Sequence, residues 1–163
     1  NLRRTITISP DAPLIIGSCL PGERHEIPMH ILLIKCMMRG YQTLMLGPSP
    51  APQAIESTVT LKKPAIVLLT ASTTEPFKRR LDDILAIEAF AKATPDVKFY
   101  LGGMGIVDPS IFQAITVTND LNVVLGWDVA ITTYLIINEP LFKLQEKPNV
   151  QKSRAFGQPN ALL

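Results

Sequence analysis

Short apolar runs alternate with longer amphipathic segments along most of the chain. The apolar runs have the length of strands that are buried on both faces of a sheet; they are 13–19, 41–46, 65–70, 97–101 and 122–125. The segments between and after them show helical spacing of apolar residues or helix start and stop signals; they are 27–39, 51–62, 77–93, 109–115 and 128–137. Residues 4–9 alternate polar and apolar positions, which predicts an edge strand or a lead-in.

This strict alternation of strand and helix predicts a parallel sheet with helices on both faces and right-handed crossovers. Its length fits the flavodoxin-like (Rossmann-like) α/β class, a doubly wound five-stranded parallel sheet of order 2-1-3-4-5. We expect residues 1–12 to lead in, 13–140 to form the domain and 141–163 to be a flexible polar tail. Because the chain begins with Asn1 rather than Met, we also expect it to be a segment of a longer protein.

The composition narrows the functional classes. The chain has 163 residues, of which 47% are hydrophobic and 18% charged, so a packed core is expected rather than disorder. A net charge of +2 without a basic patch argues against contact with nucleic acid or an anionic membrane by this segment. No signal peptide or membrane-length apolar run occurs, and Cys19 and Cys36 lie in apolar runs, so we expect a cytoplasmic protein.

Three polar or glycine-containing loops follow predicted strands 1, 3 and 4, where open α/β proteins bind ligands. An imidazole can ligate a metal, hydroxyls can bind ring nitrogens or phosphate oxygens, and paired glycines let a ligand approach the backbone. The residues concerned are Glu23 and His25 in the first loop, Thr70 and Ser72 in the second, and Gly102 and Gly103 in the third.

At these residues the chain resembles the cobalamin-binding domain of methionine synthase, corrinoid proteins, B12-dependent mutases and B12-dependent light-sensing MerR-type regulators. That family carries Asp-x-His-x-x-Gly, then Ser-x-Leu, then Gly-Gly. Here Glu-Arg-His-Glu-Ile-Pro stands at 23–28, Thr-Ala-Ser at 70–72 and Gly-Gly at 102–103. Thus Glu23 replaces the aspartate and Pro28 the glycine of the first motif. The resemblance spans roughly residues 13–138.

The resemblance implies that adenosylcobalamin or methylcobalamin binds with its dimethylbenzimidazole base released from cobalt. His25 would then be the lower axial ligand, and the Glu23 carboxylate would hydrogen-bond the other ring nitrogen. The nucleotide tail would enter a slot between the sheet and its helices. Its implied contacts are Thr70, Ser72, Gly102 and Gly103.

Three functions follow from this resemblance. The Pro-Gly-Glu-x-His-Glu loop favours a sensory module of a MerR-type transcriptional regulator that catalyses no reaction. Its helical bundle and DNA-binding domain would then precede this segment, and a homo-oligomer is possible. The alternatives are a corrinoid-carrying domain of a methyltransferase or mutase, and a cofactor-free family member that senses another ligand or dimerises.

The basic run 78–80 could indicate a nucleic-acid-binding surface. Because Asp82 and Asp83 follow at once, a solvated helix face is the better prediction.

Overall fold

Residues 8–125, which the computed structural model describes, contain one five-stranded parallel sheet in the order β2-β1-β3-β4-β5. The predicted flavodoxin-like fold is therefore confirmed. The strands are β1 (Leu14–Cys19), β2 (Gln42–Met45), β3 (Ile66–Thr70), β4 (Lys98–Gly102) and β5 (Ile115–Val117). The helices are α1 (Ile27–Met38), α2 (Pro52–Lys62), α3 (Glu75–Arg79), α4 (Leu81–Ala93) and α5 (Leu121–Leu125), with a 3-10 turn at Pro109–Ile111.

The two central strands carry apolar side chains on both faces, so the core has two parts. On one face Ile16, Val67 and Leu69 pack in a buried cluster with residues of α2 and α4, and on the other Ile15 and Leu68 pack with residues of α1 and α5. Both cysteines are buried free thiols. This double burial explains why β1 and β3 read as continuous apolar runs rather than alternating ones.

The last predicted strand is wrong. Residues 122–125 lie in α5, and the fifth strand is Ile115–Val117, of which only Ile115 was assigned to an element, as the last residue of a helix predicted over 109–115. A short apolar run does not distinguish a buried strand from a buried helical turn. Here Asp120 Oδ1 accepts the Asn122 N–H (2.8 Å) and helps to start the helix, whereas the β-branched run Ile-Thr-Val favours the strand.

The helix predicted over 77–93 is two helices, because Arg80 leaves the helical region with φ −135° and ψ 33° between α3 and α4. Residues 8–13 contain a turn that leads into β1. The rest of the predicted lead-in, the helix 128–137 and the tail 141–163 lie outside the described residues. Within the described part, no helix has the length and apolar character needed to cross a bilayer.

Candidate functional site

The sheet register brings the three predicted loops side by side. Cys19 ends β1 opposite Thr70 of β3, and Thr70 pairs in turn with Gly102 of β4. Since parallel strands end at the same edge, the loops that follow these three residues share one rim of the molecule. This is the rim on which the order 2-1-3-4-5 places its switch point, between β1 and β3.

Glu23 is the organising residue of the first loop, and its side chain is completely buried. Its Oε1 atom accepts the backbone N–H groups of Arg24 (2.8 Å) and His25 (2.9 Å) and lies 2.6 Å from His25 Nδ1. Its Oε2 atom accepts the Thr73 N–H (2.8 Å) and the Thr73 hydroxyl (3.1 Å). Glu23 therefore connects the loop after β1 to the loop after β3.

These hydrogen bonds keep the Glu23 carboxyl ionised. Burial on its own would raise the pKa of Glu23, but the bonds donated by His25 and Thr73 outweigh it and lower the pKa from 4.5 to about 2. An ionised carboxylate is only an acceptor, so His25 Nδ1 must carry the proton that lies between them. The lone pair of a neutral His25 ring is then on Nε2.

His25 presents that second nitrogen outward. Its side chain is 65% exposed, and among residues 8–125 no hydrogen bond reaches Nε2. The loop beneath it is held at two points: the Cys19 Sγ atom lies 3.7 Å from the His25 carbonyl oxygen, and the Gly22 N–H donates to Ser49 Oγ (2.9 Å). The ring is thus fixed at one nitrogen and open at the other, as a metal ligand requires.

A slot of about 250 Å³ lies beside this loop, between α1, the ends of β3 and β4, and the segment that leads into α5. Its volume is just below the ~300–1,000 Å³ range of small-molecule sites. Its walls are largely apolar, with Thr70 and Ser72 among its polar members, and Pro28 also lines it. The structure therefore brings together four of the predicted residues, namely Thr70, Ser72, Gly102 and Gly103.

His25 does not line this slot. It lines a neighbouring cleft of about 460 Å³ together with Glu23 and Thr73. Ser72 faces the slot and the next residue, Thr73, faces the cleft, so the two depressions adjoin along the loop after β3.

Close backbone packing favours glycine at both positions of the Gly102–Gly103 pair. Gly103 has φ +121°, and a Cβ atom there would overlap the carbonyl oxygen of Ala71. A Cβ on Gly102 would lie 2.9 Å from the Thr118 carbonyl oxygen. Side chains at these positions would collide with backbone, so the fold disfavours them whether or not a ligand approaches there.

Sequence reasoning missed Thr73, which makes two of the five hydrogen bonds to Glu23. The hydroxyl-rich run Thr70–Thr74 marked the right loop, but alternation along a strand does not extend into the loop and could not select the residue.

Sequence reasoning also missed Glu88, a buried carboxylate that accepts the backbone N–H groups of Gln113, Ala114 and Ile115. Within residues 8–125, no group of three or more His, Cys, Asp or Glu side chains is placed to hold a metal ion.

Several solved structures share this fold. A cobalamin-binding protein from Desulfitobacterium hafniense superposes with a TM-score of 0.60 at 21% identity, over 72% of this chain and 60% of that one. The methanol:cobalamin methyltransferase complex from Methanosarcina barkeri gives 0.57 at 16% identity, over 83% and 51%. The monomethylamine corrinoid protein of the same organism gives 0.51 at 19% identity, over 74% and 57%.

These likenesses show the fold. The matched part of each neighbour is between 51% and 60% of its length. No protein-family model and no curated protein sequence matches the chain.

Proposed function

We propose that this chain is a cobalamin-binding module in which His25 ligates cobalt through Nε2. The observation that carries the proposal is the buried Glu23 carboxylate 2.6 Å from His25 Nδ1, with Nε2 open to solvent in a cleft that adjoins a largely apolar slot. The three structural neighbours support it because they include a cobalamin-binding protein, a cobalamin methyltransferase complex and a corrinoid protein.

The residues present fit this cofactor. A corrin ring already supplies the equatorial ligands of cobalt, so one imidazole from the protein completes the lower face. Glu23 fixes the tautomer of His25 and makes Nε2 a stronger donor, and Thr73 holds Glu23 in place. Bound cobalamin would supply a cobalt centre that exchanges its upper ligand.

The slot suits the nucleotide tail of a base-off cobalamin. Apolar walls such as Leu32 and Leu68 can cover a flat aromatic base, while the hydroxyls of Thr70 and Ser72 can bind its polar atoms. Pro28 lines the same slot in the first turn of α1, where it adds an apolar surface at the position of the motif glycine.

Two roles remain candidates within this function. A sensory module of a MerR-type regulator is favoured by the Pro-Gly-Glu-x-His-Glu loop. A corrinoid-carrying domain of a methyltransferase is favoured by the methyltransferase complex and the corrinoid protein among the neighbours. Illumination of the methylcobalamin complex tests the two: a light-dependent change in association state supports the sensor, and methyl transfer to or from an added methyltransferase supports the carrier.

The proposal is tested by reconstituting the chain with cobalamin in the dark and removing free cofactor by gel filtration. After reduction to Co(II), electron paramagnetic resonance reports the axial nitrogen. Labelling the protein with ¹⁵N-histidine should change its hyperfine pattern from triplets to doublets. His25→Ala should abolish this signature, whereas His30→Ala, at the only other histidine, should keep it. Retained triplets in the labelled protein would show that the cofactor's own base remains on cobalt and would refute His25 ligation.

A further inference from the structure

The basic run 78–80 is exposed to solvent, as the sequence predicted, but two of its members also line a cleft of the candidate site. Arg80 sits at the break between α3 and α4, and both Arg79 and Arg80 line the cleft that contains His25. The stem of Arg80 packs against the histidine loop, since its Cγ atom lies 3.1 Å from where a Cβ on Gly22 would be. Arg79 and Arg80 thus line the same cleft as the proposed cobalt ligand.

A third guanidinium completes the group. Arg24 directly precedes His25 and lines the same cleft, which we call the arginine cleft. Arg79 Nε contacts Glu75 Oε2 at 2.9 Å, and Arg80 Nη1 lies 3.5 Å from Asp83 Oδ2. The Arg24 guanidinium has no hydrogen bond or ion pair with any residue in the range 8–125. Hydrogen-bond donors therefore exceed acceptors in this cleft.

The chemistry of the arginine cleft selects a class of ligand group. Guanidinium groups donate to carbonyl or carboxylate oxygens, and bidentate contacts are favoured. The Glu75 carboxylate and the hydroxyls of Ser49 and Thr73 can accept an N–H. A carboxamide offers an acceptor to the guanidinium groups and a donor to Glu75, and a carboxylate at the same place would add charge pairing with the guanidinium groups.

We propose that the arginine cleft binds peripheral carboxamide groups of a corrinoid that is held on His25. This inference rests on the proposed function and extends it to the orientation of the ring. An axial bond to His25 leaves the ring free to turn about that bond. Because the nucleotide tail is covalently attached to the ring, contacts in the tail slot limit this rotation, and contacts in the arginine cleft would restrict it further.

The experiment compares cobalamin with its isomeric monocarboxylic acids, in each of which one peripheral carboxamide is hydrolysed. Affinity is measured by visible absorption with the full 163-residue chain. One isomer, whose carboxylate faces the arginine cleft, should bind about threefold to tenfold more tightly than the others. The gain should shrink at high salt because part of the cleft is open to solvent.

Substitutions then locate the effect. Arg24→Gln combined with Arg79→Gln should remove the gain for that isomer and weaken cobalamin itself. Lys78→Gln makes the same charge change next to Arg79, but Lys78 does not line the cleft, so it should leave the gain intact. The His25 nitrogen signature should persist in all of these variants, which separates loss of rim contacts from loss of the axial ligand.

Equal affinity for all isomers, or a gain that survives the double substitution, would overturn this inference while leaving the proposed function standing. In that case an acidic partner protein becomes the better occupant of the arginine cleft. Failure of the unsubstituted chain to retain any corrinoid would overturn both proposals together, and the two failures are therefore distinguishable.

Discussion

Replacement of Glu23 by Gln should destabilise the fold in a way that depends on pH. Glu23 is fully buried, and hydrogen bonds from His25 and Thr73 lower its pKa from 4.5 to about 2 despite the opposing effect of burial. At roughly 1.4 kcal/mol per pK unit, this shift corresponds to about 3 kcal/mol of folding free energy at neutral pH. Gln keeps one acceptor oxygen, but its NH₂ group must face a backbone N–H or the His25 ring.

The sign of the pH dependence follows from the lowered pKa. The carboxylate stabilises the folded state fully above the unfolded pKa of 4.5, and this contribution is lost as the pH falls towards about 2. About 1 kcal/mol of it should remain at pH 3. The difference in unfolding free energy between the native chain and Glu23→Gln should therefore shrink by about 2 kcal/mol between pH 7 and pH 3.

Urea denaturation followed by circular dichroism at the two pH values measures this difference. With an m-value of about 1–3 kcal/mol per molar urea, the midpoint at pH 7 should fall by about 1 M or more. Glu56→Gln, at a partly exposed position on α2, is the matched control and should change stability by less than about 0.5 kcal/mol at either pH. An equal loss for Glu23→Gln at pH 7 and pH 3 would refute the argument, because the effect would then come from shape rather than charge.

Thr73→Val should cost about 1 kcal/mol in the same assay, since it removes the hydroxyl bond to Glu23 but keeps the backbone N–H bond. Gly103→Ala should cost about 2–4 kcal/mol, because φ is +121° and the new Cβ would overlap the Ala71 carbonyl oxygen; a loss below 0.5 kcal/mol or so would contradict this packing. Glu88→Gln should cost about 2–3 kcal/mol by leaving one of three backbone N–H groups at the start of β5 without an acceptor, and amide hydrogen exchange of Gln113–Ile115 should quicken.

The sequence predicts most of this sheet because strands that are buried on both faces appear as continuous apolar runs. β1 and β3 are continuous apolar runs, and the helices between them have recognisable ends, such as the proline in the first turn of α1 and of α2. β5 has no comparable pattern in the sequence. It has three residues, and the loop before it is ordered by the Glu88 carboxylate, which lies 25 to 27 positions away in the chain. A contact between residues so far apart in the chain produces no periodic pattern in the local sequence.

The same difference between local and long-range contacts separates the site residues that were predicted from those that were missed. Glu23 and His25 are two residues apart, so their partnership is local and was predicted, although only the structure reveals that the carboxylate is buried. Thr73 lies 50 positions from Glu23, and a helix breaks at Arg80 although the apolar spacing continues. The charge balance along 78–83 correctly predicted a solvated face, since the Arg79 and Arg80 side chains are 79% and 60% exposed. It could not predict that both residues also line the cleft that contains His25.

The glycine pair and the Glu23–His25 pair do not support cofactor binding equally. Gly103 is required by the Ala71 carbonyl whether or not any ligand is present, so its match to a cofactor motif is not independent support for binding. The Glu23–His25 pair differs in kind, because packing alone does not require an ionised carboxylate to orient a ring that is 65% exposed. A sequence that kept only the fold would keep Gly103 and would be free to lose His25. The oriented imidazole, rather than the glycine pair, is therefore the feature on which the cobalamin proposal depends.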